Sequence, residues 1–130
     1  MTSERVQDEL RLLRQHYPDL EFQEDGTWVL IPKYSVPPGI WNRDEVAVCF
    51  QFPLGYPGNK PYGIYVSPKI ELSQGGEVLN RTDTAEPPFE GEWVKFSWDI
   101  PEWHATADLQ SGSNMLNFVL TFYSRFEEGA

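Results

Sequence analysis

At 130 residues the chain has the length of one domain, 1–130, and can bury roughly two-thirds of its unfolded surface without a metal or disulfide staple. Twenty acidic against ten basic residues give a formal charge of −10, with no basic stripe to displace counterions, so nucleic acid is excluded as an expected partner. One cysteine cannot close an intrachain disulfide, and there is neither a secretory N-terminus nor an apolar run near the roughly 18 residues of a membrane span, so the expected compartment is cytoplasmic.

Val6, Leu10, Leu13 and Tyr17 fall at i, i+4, i+7 and i+11, the apolar stripe of a helix that Ser3 can cap and Pro18 stops. His16 ends that helix, where it meets the C-terminal dipole and has no expected catalytic part. Asp25-Gly26 marks a turn before a first strand over Thr27 to Ile31 and Lys33 to Tyr34, broken near Pro32. A second strand follows Pro37-Pro38-Gly39. It alternates from Glu45 to Phe52, with Val46, Val48, Phe50 and Phe52 on one side and Glu45, Ala47, Cys49 and Gln51 on the other. Pro53, Pro57 and Pro61 each fix φ and remove a donor, which makes the next connection rigid, and Tyr62 to Val66 restarts the sheet. Ser67 to Gly91 reads as a long functional or mobile loop with Ile70 to Leu72 and Val78-Leu79 as its apolar islands. Trp93 to Ile100 is aromatic-rich, either a short strand or an extended segment pinned over the sheet, and ends at Pro101. From Ser113 on, Met115, Val119, Phe122 and Phe126 repeat at helical spacing, and Leu116, Leu120 and Tyr123 widen the stripe of a buried C-terminal helix.

Strand, Phe50-x-Phe52-Pro53-x-x-Tyr56-Pro57-x-x-x-Pro61, strand resembles the centre of the ubiquitin-conjugating enzyme fold. Val36-Pro37-Pro38-Gly39 upstream, and Trp93-x-x-Phe96-Ser97-Trp98 with Trp103 and Asp108 downstream, resemble segments of its prokaryotic branch. The resemblance implies an α+β fold with an N-terminal helix, an antiparallel meander of about four strands and a C-terminal helix packed on the sheet. It implies a conjugating-enzyme-like component of a bacterial ubiquitin-like modification pathway. The expected partners are a ubiquitin-like protein, its activating enzyme and a deconjugating protease. No cofactor is expected in this chain, because the activating enzyme consumes the ATP.

Members of that fold carry a ubiquitin-like protein as a thioester on a cysteine placed after the Tyr-Pro meander and shortly before a Trp. Cys49 lies upstream of Tyr56-Pro57 and mid-strand, where a buried thiol is inert. Ser97 stands nearest the expected position, which leaves two readings. In one it carries the ubiquitin-like protein as an oxyester and needs a base, Asp99 by strand geometry or His104 by chemistry. In the other the chain is a noncatalytic adaptor that docks partners through its first helix and the Tyr56-Pro57 edge, and Ser97 is a solvent-facing strand residue. The fold's His-Pro-Asn stretch is missing, which leaves Asn80 as the candidate for oxyanion stabilisation if the loop brings it back. Trp98 and Trp103 are core residues or binding anchors. Glu86, Glu90, Glu92, Asp99 and Glu102 could form an acidic rim for a lysine or a basic partner, and no metal-ligand spacing occurs.

Overall fold

A computed structural model describes residues 3–130, in which two helices lie against one face of a six-stranded antiparallel sheet. Helix α1 (Glu4–His16) starts where Ser3 Oγ accepts the Val6 N–H at 3.2 Å, and its buried face carries Val6, Glu9, Leu10 and Leu13. The strands are β1 (Glu21–Gln23), β2 (Trp28–Ser35), β3 (Glu45–Gln51), β4 (Tyr62–Ser67), β5 (Arg81–Ala85) and β6 (Trp93–Asp99). They stand in the order β1-β2-β3-β4-β6-β5, so β6 crosses back into the sheet between β4 and the edge strand β5. Helix α2 (Met115–Glu128) closes the chain, entered by an Asn114 capping box with Asn117.

The four expected strands correspond to β2, β3, β4 and β6, and the sheet exceeds the expected meander by β1 and β5. Strand β1 is three residues long with one apolar side chain, too short for an alternation signal. Strand β5 lies inside the span expected to be a loop. Its Thr82, Asp83 and Thr84 are exposed, and a polar edge strand has no buried face to leave a period in the sequence. The break foreseen near Pro32 is a shift of register between Ile31 and Tyr34 within a single β2.

Strand alternation decides what the helices cover. Val29 and Ile31 of β2, Val46, Val48 and Phe50 of β3, Ile64 and Val66 of β4, and Val94 and Phe96 of β6 are buried on one face against the helices. Phe122 of α2 meets Phe50 edge-on at 5.7 Å, and Phe126 meets Phe96 at 5.9 Å. Polar tips anchor the same helix: Tyr34 donates its hydroxyl to the Val119 carbonyl and Trp41 its Nε1–H to the Phe126 carbonyl, each at 2.9 Å. Among the described residues no helix covers the opposite sheet face.

Candidate functional site

Strand β6 alternates between those two faces. Val94 and Phe96 enter the core, and Trp98 turns its Nε1–H to the Thr121 hydroxyl of α2 at 3.0 Å. Lys95, Ser97 and Asp99, the intervening residues, therefore share the uncovered face, and Ser97 is exposed there. The pairing with β4 is irregular here, with the extra residue on β6: Tyr62 pairs with Asp99 and Ile64 with Phe96, so Gly63 alone faces Ser97 and Trp98. Gly63 adopts φ +84°, a conformation that a side chain resists.

The hairpin between β5 and β6 brings Asn80 to Ser97, through the backbone. Asn80, at φ +57°, accepts the Ser97 N–H on its carbonyl at 2.8 Å. Asp99, which shares the face of Ser97, is engaged elsewhere, with Lys60 Nζ 3.0 Å from its carboxylate. His104 is 82% exposed beyond Pro101, its Nε2 3.2 Å from the Glu102 carboxylate, and its backbone is exchanged in two hydrogen bonds with Ser113. Among the described residues no hydrogen bond joins the Ser97 hydroxyl to Asp99, His104 or Asn80. Of the acids expected to form a rim, Asp99 and Glu102 are thus paired locally, while Glu86 and Glu92 line a hollow between β5 and β6.

Cys49 lies on the same sheet face as Ser97 yet is 0% exposed. Leu30 and Tyr65 flank it in register, and Trp28 meets Tyr65 edge-on at 5.2 Å across β3. Burial pushes the thiol well above its ordinary range, so it stays protonated and unreactive at neutral pH.

A second cluster sits where α1, the Tyr56-Pro57 loop and the start of α2 meet. Glu9, 1% exposed, accepts from Arg5 Nε at 2.7 Å, the Tyr56 hydroxyl at 2.6 Å and the Met115 N–H at 2.5 Å. The third contact places the carboxylate at the positive end of α2. Arg5 also donates to the carbonyls of Thr106 and Ser113, tying in the segment after β6. Tyr56 packs on Phe52 at 4.9 Å and Trp103 at 5.8 Å, and Trp103 Nε1–H donates to the Pro57 carbonyl at 2.8 Å. Burial, and then the neighbouring Glu9 charge, hold the Tyr56 phenol well above its ordinary range. Beside this junction Glu4, Arg5, Asp8, Pro57, Gly58 and Ala105 line an open hollow of about 600 Å³. Leu54, at the tip of the loop, is 94% exposed.

Sequence reasoning missed Lys95 and Glu9. Both had a signal. Lys95 is two residues from Ser97 on a strand, and Glu9 falls on the buried side of α1, three residues after Val6, where a carboxylate in an apolar stripe demands partners. Among the described residues, no three His, Cys, Asp or Glu side chains gather as a metal site, and no helix is long and apolar enough to cross a membrane.

Neither the curated proteins nor the solved structures contain a match to this chain. The family model described as prokaryotic E2 family E matches residues 6–121, from the first turn of α1 to the middle of α2 and so across both the Glu9 junction and Ser97. The chain belongs to the prokaryotic E2 family E and is a ubiquitin-conjugating-enzyme-like protein.

Proposed function

We propose that this protein takes a ubiquitin-like protein from its activating enzyme and carries it as an oxyester on Ser97, in a bacterial ubiquitin-like modification pathway. The observation that carries this reading is the contrast between the two candidate nucleophiles, Cys49 and Ser97. Cys49 is fully buried mid-strand, whereas Ser97 is exposed on β6, after the Tyr-Pro meander and before Trp103, where the fold's nucleophile is expected. An activated acyl donor supplies the driving force that a weak hydroxyl nucleophile lacks. A deconjugating protease would then act on the product, and the acceptor would be an amine of another protein.

The test mixes the protein with its cognate activating enzyme, ubiquitin-like protein and ATP and reads intact mass. An alkali-labile adduct lost in Ser97→Ala and kept in Cys49→Ala is expected. An adduct that disappears only in Cys49→Ala would refute the serine.

One observation favours a second reading, a noncatalytic adaptor. Asp99 and His104 are both occupied by local partners, while the hollow beside α1 and the exposed Leu54 offer a docking edge for a ubiquitin-like protein or its activating enzyme. Partner binding without any adduct, abolished by Leu54→Asp and indifferent to Ser97→Ala, is the result that reading expects.

A further inference from the structure

Among the described residues Lys95 is a half-buried cation without a counter-ion, in a chain that has twice as many acids as bases. Its stem crosses β4 at Gly63, where a Cβ would come within 2.7 Å of Lys95 Cε and 3.6 Å of Nζ. The ammonium lies 5.3 Å from the ring centroid of Tyr65 and 5.8 Å from that of Tyr62. Tyr65 pairs with Lys95 itself, but Tyr62 pairs with Asp99. A cation that reaches both rings has therefore leaned along β6 past its own position to the level of Gly63, opposite Ser97. The two ring faces favour the charged amine and hold it in place. By contrast, Lys60, Lys69 and Arg81 each stand within ion-pair distance of a carboxylate.

Acyl transfer to Ser97 is helped by a hydrogen-bond donor or positive group where charge develops on the carbonyl oxygen. The Ser97 N–H cannot serve, because the Asn80 carbonyl already takes it, and Lys60 is spent on Asp99. We propose that Lys95 is a catalytic residue whose ammonium stabilises the oxyanion formed at Ser97. This inference rests on the reading of Ser97 as the acyl carrier. Ser97 Oγ attacks the thioester carbonyl presented by the activating enzyme, a C–O bond forms, and the negative charge passes to the carbonyl oxygen beside Lys95. The C–S bond then breaks, and the departing thiolate takes up, through solvent, the proton that the serine gives away. Gly63 is explained by the same arrangement, since a side chain there would push Lys95 out of the site.

The experiment is a single-turnover transfer from the activating enzyme charged beforehand with its ubiquitin-like protein, followed by intact mass for wild type, Lys95→Met, Lys95→Arg and Gly63→Ala. Lys95→Met is expected to slow adduct formation about 100-fold, the size of losing one oxyanion donor. The concentration of the chain at half-maximal rate should stay unchanged. Lys95→Arg, which keeps the charge, should recover most of the rate, and Gly63→Ala, which displaces an intact lysine, should lose it. A wild-type adduct on Ser97 that forms equally fast in Lys95→Met overturns the role of the lysine while leaving the serine in place, and so does a loss that Lys95→Arg does not recover. Absence of any wild-type adduct overturns the serine and the lysine together.

Discussion

The Glu9 junction and the Ser97 face use polar residues in opposite ways. At the junction a carboxylate with 1% exposure is met by three donors from α1, the Tyr-Pro loop and α2, so every charge-bearing atom has a partner within the protein. On the uncovered face, among the described residues, Ser97 offers a hydroxyl without a hydrogen-bond partner, Lys95 has rings but no anion, and β6 is bulged opposite a glycine of β4. Complete satisfaction holds segments together, whereas incomplete satisfaction leaves groups ready for something else. The difference fits architecture at the first cluster and the proposed chemistry at the second.

The sharpest way to break that division is to remove Glu9. Glu9→Ala leaves Arg5 without its buried counter-charge and strips the Tyr56 hydroxyl and the Met115 N–H of their acceptor, a loss of about 3–5 kcal/mol. Thermal unfolding followed by circular dichroism should show a midpoint lower by roughly 10 °C or more. A shift of a degree or two would show that the junction is not structural.

Gly63→Ala comes next, at about 1–2 kcal/mol, since it forces a side chain into φ +84° and into the stem of Lys95. Urea unfolding measures it, and an unchanged midpoint would mean that neither the positive φ of Gly63 nor its approach to Lys95 constrains the strand.

Alkaline pH should produce a smaller and graded loss. Burial raises the phenols of Tyr56 and Tyr34 in the folded protein, with Glu9 adding to the first and Tyr17 to the second. Raised groups keep their protons longer when folded, so their contribution is complete below the unfolded value near ~10 and is lost as pH rises above it. Urea midpoints should therefore hold from pH 7 to 9 and decline beyond 10, less steeply in Tyr56→Phe. A flat profile to pH 11 would show both phenols titrating normally.

Ser97→Ala is expected to change stability least, within about 0.5 kcal/mol, because its hydroxyl has no hydrogen-bond partner among the described residues and the backbone bond to Asn80 survives. A larger loss, read in the same urea titration, would move Ser97 to the structural side of the comparison.

How much of this was legible in the sequence follows the same line. Helices α1 and α2 and strands β2, β3, β4 and β6 leave apolar periods, because each buries one face in the core, and they were found. Strand β5 was not, since an exposed polar edge leaves no period, and neither was β1 at three residues. Among the site residues, the burial of Cys49 could be read from alternation, and so could the shared face of Ser97 and Asp99. The pairing of Asp99 with Lys60, of His104 with Glu102 and of Ser97 with the Asn80 carbonyl depends on a bulge and a hairpin that spacing alone does not encode. Both Trp98 and Trp103 proved half-buried, each giving its indole N–H to a partner within the fold.

The most direct measurement is to locate the adduct. The charged protein, trapped at mildly acidic pH and digested, should yield a peptide spanning Ser97 that carries the C-terminal remnant of the ubiquitin-like protein and releases it in alkali. A remnant that resists alkali on Lys95 or another lysine, or one attached at Cys49, would contradict a serine-borne oxyester on the uncovered face.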